Sequence, residues 1–89
     1  MPLLRGEVQS FDQDRMILPF TMLNEGSVVQ FAISSAAMDG IENRRDVKPD
    51  QRVDQFMRLR SVIEERAARR FSENAPLSGR PIILRSNDF

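Results

Sequence analysis

The chain lacks four residue types that supply much of enzyme chemistry, because its 89 residues include no Cys, no His, no Trp and no Tyr. Thiol nucleophiles, imidazole bases and zinc sites with nitrogen or sulfur ligands are therefore excluded. Without cysteine no disulfide can stabilise the fold, which favours a cytoplasmic protein. We expect a protein that is not an enzyme and that uses no cofactor and no metal ion.

An excess of charge of one sign is also missing, since 13 basic residues balance 13 acidic ones. A dedicated binder of nucleic acid or of acidic membranes would show a basic surplus. No apolar run approaches the roughly 20 residues that cross a bilayer, and we expect no signal peptide. The length suits one domain, 1–89, whose small core leaves a thin stability margin that a second subunit would increase.

Two apolar runs separated by a turn predict a β-hairpin. The strands span 15–23 and 27–33, and Asn24-Glu25-Gly26 between them tolerates a positive φ. Alternation turns these side chains inward: Met16, Leu18, Phe20, Met22, Val29, Phe31 and Ile33. Because Pro19 cannot donate a ladder hydrogen bond, we expect the first strand to lie at a sheet edge or to carry a bulge.

A short helix and a long helix are predicted downstream of the hairpin. Ser34 and Ser35 offer an N-cap for a helix to about Ile41, which Gly40 weakens and ends early. The long helix runs from Asp50 to about Phe71. Its apolar stripe consists of Val53, Phe56, Met57, Ile63, Ala67 and Phe71. After a break over 74–79, a last strand over 81–85 turns Ile82 and Leu84 inward, and a capped turn returns Phe89 to the core.

The element order strand, strand, helix, helix, strand predicts an α+β fold in two layers. A small, mainly antiparallel three-stranded sheet, made of the hairpin and the C-terminal strand, carries the short and the long helix on one face. Two intervening helices allow the last strand to join either edge of the hairpin, so the strand order stays open.

Several stretches of the chain resemble one known family. They are Ser10-Phe11-Asp12, the hairpin with Gly26, Phe31-Ala32-Ile33-Ser34, Ala37-Met38-Asp39-Gly40-Ile41 and the terminal Asp88-Phe89. Over nearly its whole length the chain is similar to the small bacterial proteins grouped as domain of unknown function 1488. The resemblance implies a compact α+β fold. It implies no activity and no catalytic residues.

The outward face of the predicted sheet is apolar where a two-layer domain should meet water. Its candidate interface residues are Ile17, Pro19, Val28, Ala32 and Ile83. A second copy packed on this face, or on the edge of the first strand, would form a homodimer. The alternative is that the alternation slips at a Pro19 bulge and turns several of these side chains inward. A self-associating protein-interaction module is the leading hypothesis.

One charged pair lies within the apolar arc of the long helix. Arg60 and Glu64 are four residues apart, and burying either charge alone is costly. In one interpretation the two form a structural pair and Arg60 extends its guanidinium to solvent. In the other they line a cleft that binds an anionic ligand.

Five arginines support an alternative function, that of an accessory nucleic-acid-binding protein. They are Arg44, Arg45, Arg66, Arg69 and Arg70, of which the last three lie on the long helix. A nucleic-acid site requires them to form one uncompensated basic surface. Because Glu65 precedes Arg69 by four residues, part of this charge is neutralised, and we expect nucleic acid to be the less favoured partner.

Overall fold

Four strands and two α-helices lie within the described residues, 3–73 and 80–89, of this computed structural model. The strands are β1 (Leu4–Val8), β2 (Ile17–Asn24), β3 (Ser27–Ser34) and β4 (Ile82–Leu84), and the helices are α1 (Ser35–Glu42) and α2 (Arg52–Glu73). Short 3-10 helices over Pro49–Gln51 and Ser86–Asp88 precede α2 and follow β4. The predicted break over 74–79 lies outside the described residues.

The strands form one sheet in the order β1-β2-β3-β4. The β1–β2 and β2–β3 pairs are antiparallel, whereas β4 is parallel to β3. The two helices supply the long connection that a parallel neighbour needs. The predicted α+β fold is confirmed, with four strands in the described chain instead of three, and the last strand joins the β3 edge of the hairpin.

The strand that sequence analysis missed is β1, at the sheet edge. Its sequence, LRGEV, contains two charged residues and one glycine and lacks apolar alternation. Charged side chains are common on edge strands, where they oppose pairing with other chains. Gly6 is required by close packing, since a Cβ there would lie 2.5 Å from the Thr21 carbonyl oxygen.

The expectation that Pro19 marks an edge strand is wrong, because β2 lies between β1 and β3. The Pro19 carbonyl accepts a hydrogen bond from the Gln9 N–H at 3.0 Å, just beyond the end of β1. A residue in an antiparallel sheet directs its N–H and C=O to the same neighbour, so the N–H that proline lacks would have faced β1. The register shift falls in β1, between Arg5 and Val8, and β2 pairs continuously with β3.

The core lies between the helices and one face of the sheet. The buried sheet residues are Leu18, Phe20, Met22, Val29, Phe31, Ile33, Ile82 and Leu84, and the buried helix residues include Ala37, Met38, Phe56, Ile63 and Ala67. The ring centroid of Phe20 lies 5.4 Å from that of Phe31 and 4.9 Å from that of Phe56. The predicted inward faces of the two hairpin strands are thus correct from Leu18 onward.

Two predicted core methionines are exposed. Met16 belongs to the turn before β2 and has a φ of 58°, so its side chain leaves the alternation of the strand. Met57 follows the buried Phe56 and is rotated about 100° around the helix axis, away from the sheet. Its sulfur lies 3.6 Å from a guanidinium nitrogen of Arg60.

The first helix begins as predicted and ends later. The Ser34 hydroxyl accepts a hydrogen bond from the Ala37 N–H at 3.1 Å and caps α1. The helix continues through Gly40 to Glu42, and Asn43 ends it with a left-handed φ of 56°. The tail also differs in part, since Phe89 lies beside α1 and α2 at the surface instead of within the core.

Candidate functional site

Both helices of the described chain pack on one face of the sheet, and the opposite face is open. Residues paired directly across strands share a face. The pairs Leu4–Leu23 and Leu23–Val28 therefore form one apolar row across β1, β2 and β3. A second apolar row, Pro19–Ala32–Ile83, crosses β2, β3 and β4. The polar pair Thr21–Gln30 lies between the two rows.

The five predicted interface residues differ in how much surface they offer. Val28 is exposed, and Pro19 and Ile83 are half-buried on either side of Ala32. Ala32 is buried because its short side chain lies between these two larger neighbours. Ile17 is also buried, beside Asp12 and Arg15 of the turn before β2. Of the five, only Val28, Pro19 and Ile83 therefore present side-chain surface to solvent.

Leu4 and Leu23 complete the open face and are not among the five predicted interface residues. Leu4 is 63% exposed and Val28 62%, so the outer ends of one row are among the most exposed apolar side chains of the described chain. Leu23 is half-buried between them. The signal for Leu4 was weak because β1 itself has no apolar alternation.

A shallow cavity of about 170 Å³ lies beside the second row of the open face. Pro19, Ala32 and Pro81 contribute apolar surface, and Gln9 and Gln30 contribute amides. An apolar centre surrounded by polar groups is typical of protein–protein interfaces.

The predicted pair Arg60 and Glu64 lies at the β1 edge of the helix layer. The Arg60 Nε donates to Glu64 Oε2 at 2.9 Å, and a terminal nitrogen of Arg60 donates to the Gly6 carbonyl at 3.1 Å. Arg5 of β1 donates to the other carboxylate oxygen of Glu64 at 2.9 Å. The carboxylate thus joins two guanidinium groups and ties α2 to β1. The Arg60 guanidinium, which the structural interpretation directed to solvent, contacts Glu64 and Gly6 instead.

The five arginines of the nucleic-acid hypothesis lie in two groups. Arg44 is 3.8 Å from Glu42, at the level of Arg58 on α2, whereas Arg66–Arg70 begin about 12 Å further along the helix. Arg69 pairs with Glu65 at 3.6 Å, Arg70 with Asp88 at 2.9 Å, and Arg66 lies over the Phe89 ring. Neighbouring acids thus compensate several of these charges, and Arg45 is exposed in the loop after α1.

A buried polar network joins α1 to α2 and was not predicted. Arg52 and Gln55 are buried in the helix layer, and Asp39 Oδ1 accepts from Arg52 Nη1 at 2.6 Å and from Gln55 Nε2 at 3.2 Å. The Arg52 guanidinium also lies 5.6 Å from the centroid of the Phe11 ring. The sequence signal was the placement of Arg52 and Gln55 on the side of the helix that carries Phe56.

Glu42 extends this network toward solvent. Its carboxylate accepts two hydrogen bonds from Arg58, at 2.9 and 3.1 Å, and one from Gln55 at 3.3 Å. The hydrogen bonds from Arg58 lower the pKa of Glu42 below its usual value, and in turn they raise the pKa of Arg58. Among the described residues every fully buried side-chain polar atom has a partner, so the buried part of the network is satisfied within the protein and holds the helices together.

Comparison with known proteins places this architecture in a family. The model of the family described as protein of unknown function (DUF1488) matches residues 5–84. The chain belongs to the DUF1488 family. The resemblance noted in the sequence is confirmed, and the match extends from β1 to the end of β4. No curated protein matches this DUF1488 chain.

A solved DUF1488 structure has the same fold. It is the 1.60 Å crystal structure of a protein of unknown function from Shewanella loihica PV-4. The two chains are 19% identical, the TM-score is 0.78, and the match covers 92% of this chain and 90% of the other. At this identity the likeness shows the fold alone.

Neither helix of the described chain is long and apolar enough to span a membrane. Across residues 3–73 and 80–89 no group of three or more Asp or Glu side chains could hold a metal ion.

Proposed function

We propose that this DUF1488 protein is a cytoplasmic protein without enzymatic activity that forms a homodimer through the open face of its sheet. The observation that carries the proposal is the pair of apolar rows, one ending in the exposed Leu4 and Val28. Contiguous exposed apolar surface on a small protein marks an interaction site. The chain offers no thiol, imidazole or phenol for catalysis.

A second copy suits this face because the arrangement of its rows is self-complementary. The polar pair Thr21–Gln30 lies midway between the two apolar rows. Suppose that two copies stack face to face and that the two-fold axis runs between them, parallel to the rows and above this pair. The Leu4–Leu23–Val28 row of one copy then lies on the Pro19–Ala32–Ile83 row of its partner. Amide and hydroxyl groups then face each other at the axis. An assembly with a two-fold contact of this kind is complete with two copies and adds no further subunits through the same surface.

The size of the face predicts a reversible dimer. Strands rise about 3.4 Å per residue and lie about 4.8 Å apart, so strands of 5, 8, 8 and 3 residues cover roughly 400 Å². Two copies would bury about 800 Å², which is the size of weak, transient contacts. The net charge of zero adds no overall repulsion between copies.

Light scattering coupled to size exclusion, over a series of protein concentrations, tests the dimer. We expect the mass of the wild-type protein to approach that of two chains as the concentration rises. Val28→Glu should remain monomeric, because each dimer would bury two new carboxylates. Val62→Glu is the matched control, since Val62 is 48% exposed on α2 and lies on the helix side.

The proposal fails if the wild-type protein is monomeric at the highest concentration, or if Val28→Glu and Val62→Glu behave alike. Circular dichroism of each variant checks that the subunit is folded. Because the chain has no Trp and no Tyr, strong near-ultraviolet absorbance in the protein peak would reveal bound nucleic acid and favour the arginine-based alternative.

A further inference from the structure

An open cavity of about 460 Å³ lies where α1 begins, at the end of the sheet away from the β2–β3 turn. Its walls come from distant parts of the chain: Arg15 and Met16 before β2, Ser35 and Ala36 of α1, and Arg85 and Asn87 after β4. The volume is within the range of small-molecule sites. We name it the α1 cavity.

The first turn of α1 leaves one amide free to bind in the α1 cavity. The Ser35 N–H donates to the Met16 carbonyl at 2.9 Å, and the Ala37 N–H donates to the Ser34 hydroxyl at 3.1 Å. The N–H of Ala36 has no partner among the described residues, and Ala36 is exposed. A free amide at a helix N-terminus favours an anion through both its hydrogen bond and the helix dipole.

The Ser35 hydroxyl is a second, independent donor. Ser35 is only 6% exposed, and its side chain makes no hydrogen bond within the part of the chain that the structure describes. Every fully buried side-chain polar atom there is paired, so this hydroxyl must reach open space. The opening that Ser35 lines is the α1 cavity. A nearly buried hydroxyl without a protein partner points to a ligand.

Two arginines and no acidic residue are among the described residues that line the α1 cavity, although the whole chain is neutral. Arg15 is held only loosely by Asp12, at 3.9 Å, and Arg85 forms no ion pair with the described residues. Asp88 is already bound by Arg70 at 2.9 Å and by the Arg85 N–H at 2.8 Å. Two further acids lie nearby, Asp14 next to Arg15 in the chain and Glu73 beside Arg85, and neither forms an ion pair with these arginines. Both guanidinium groups are therefore available for a ligand that carries negative charge.

We propose that the α1 cavity binds a phosphate group, either as inorganic phosphate or as part of a small phosphomonoester. Guanidinium groups match the oxygens of phosphate in geometry and charge. The Ala36 amide and the Ser35 hydroxyl supply the neutral donors. The remaining volume leaves room for the organic part of an ester. The site does not depend on the proposed dimer.

Titration of the ¹⁵N-labelled full-length protein with inorganic phosphate, followed by NMR at constant ionic strength set with chloride, tests the site. We expect a saturable shift of the Ala36 amide signal. The double variant Arg15→Gln/Arg85→Gln should bind about tenfold more weakly or worse, because it loses two charge-assisted contacts. Arg69→Gln is the control, since Arg69 is an exposed arginine on α2.

A shift that never saturates, or one that Arg69→Gln weakens as much as the double variant, overturns the proposal in favour of general ion screening. A folded double variant with wild-type affinity also overturns it. A parallel titration with a phosphomonoester separates the two sources: tighter binding than inorganic phosphate assigns the rest of the cavity to the organic group, and equal binding assigns the site to free phosphate.

Discussion

Two glycines show how one methyl group can have opposite effects in this fold. At Gly40, within α1, a Cβ would meet nothing within 4 Å. At Gly6, in β1, it would lie 2.5 Å from the carbonyl oxygen of Thr21 on the neighbouring strand. Glycine therefore lowers the stability of α1 without a packing reason, whereas in β1 it permits the close approach of two strands.

Alanine substitution at both sites should separate these effects. Gly40→Ala should raise the free energy of unfolding by about 0.5–1 kcal/mol, because alanine has less backbone freedom to lose in a helix. Gly6→Ala should lower it by about 1–3 kcal/mol, because β1 must move away from Thr21. Urea denaturation followed by circular dichroism measures both. Equal effects at the two positions would contradict the packing described for them.

At the scale of elements, the contact between α1 and α2 depends on the ion pair of Asp39 with Arg52. The Arg52 side chain is buried and its Nη1 lies 2.6 Å from Asp39 Oδ1. Asp39→Asn would leave the guanidinium without a counter-charge. Removing one partner of a buried pair costs about 3–5 kcal/mol, and we expect a loss of stability near the lower value because Asp39 is partly exposed.

The same denaturation experiment on Asp46→Asn provides the control for Asp39→Asn. Asp46 is an exposed aspartate in the loop between the helices. Its substitution should change the unfolding free energy by no more than about 0.5 kcal/mol. A small effect of Asp39→Asn, equal to that of Asp46→Asn, would show that the helix contact rests on the apolar side chains alone.

The elements that sequence analysis predicted are those whose apolar pattern is regular. The alternation from Leu18 to Ile33 and the stripe of Phe56, Ile63 and Ala67 specify a hairpin and a helix without knowledge of their neighbours. The short strand β1 gave no such signal, because an edge strand with Arg5 and Glu7 depends on its neighbours for pairing. Because Pro19 lacks an N–H, the sequence alone predicts an edge strand or a bulge there, and β1 is needed to show that β2 is central.

The candidate site was predictable in part for the same reason. Val28, Pro19 and Ile83 follow from strand alternation, whereas Leu4 requires the missing strand. Burial of Ile17 depends on the turn before β2, which brings Asp12 and Arg15 beside it. The acceptors of Arg52 and Arg58 lie 13 and 16 residues away along the chain, a separation that helix periodicity does not describe.

At the scale of the whole molecule, the two faces of the sheet differ in chemistry. Asp39, Glu42, Glu64 and Asp88 each form an ion pair that joins α2 to another element, on the side that the helices cover. The open face carries two apolar rows across the strands. Charges thus hold the helix layer in place, and the uncovered apolar rows supply the surface that a second copy can bury.

The free energy of unfolding should depend on pH through Glu42. Hydrogen bonds from Arg58 lower the pKa of Glu42 in the folded protein, so the folded state binds this proton less tightly than the unfolded chain does. The contribution is therefore complete at neutral pH, above the unfolded pKa, and is lost as the pH falls through the lower folded value. Unfolding should become easier between about pH 5 and pH 3.

Glu42→Gln removes this carboxylate and should flatten that part of the stability profile, measured by urea unfolding at a series of pH values. The variant should be less stable than the wild-type protein at pH 7 and should approach it near pH 3. Glu65→Gln is the matched control, because Glu65 is 74% exposed and lies 3.6 Å from Arg69. Such surface pairs contribute little, so its profile should follow the wild type. Parallel profiles for Glu42→Gln and the wild-type protein would show that Arg58 does not hold this carboxylate in solution.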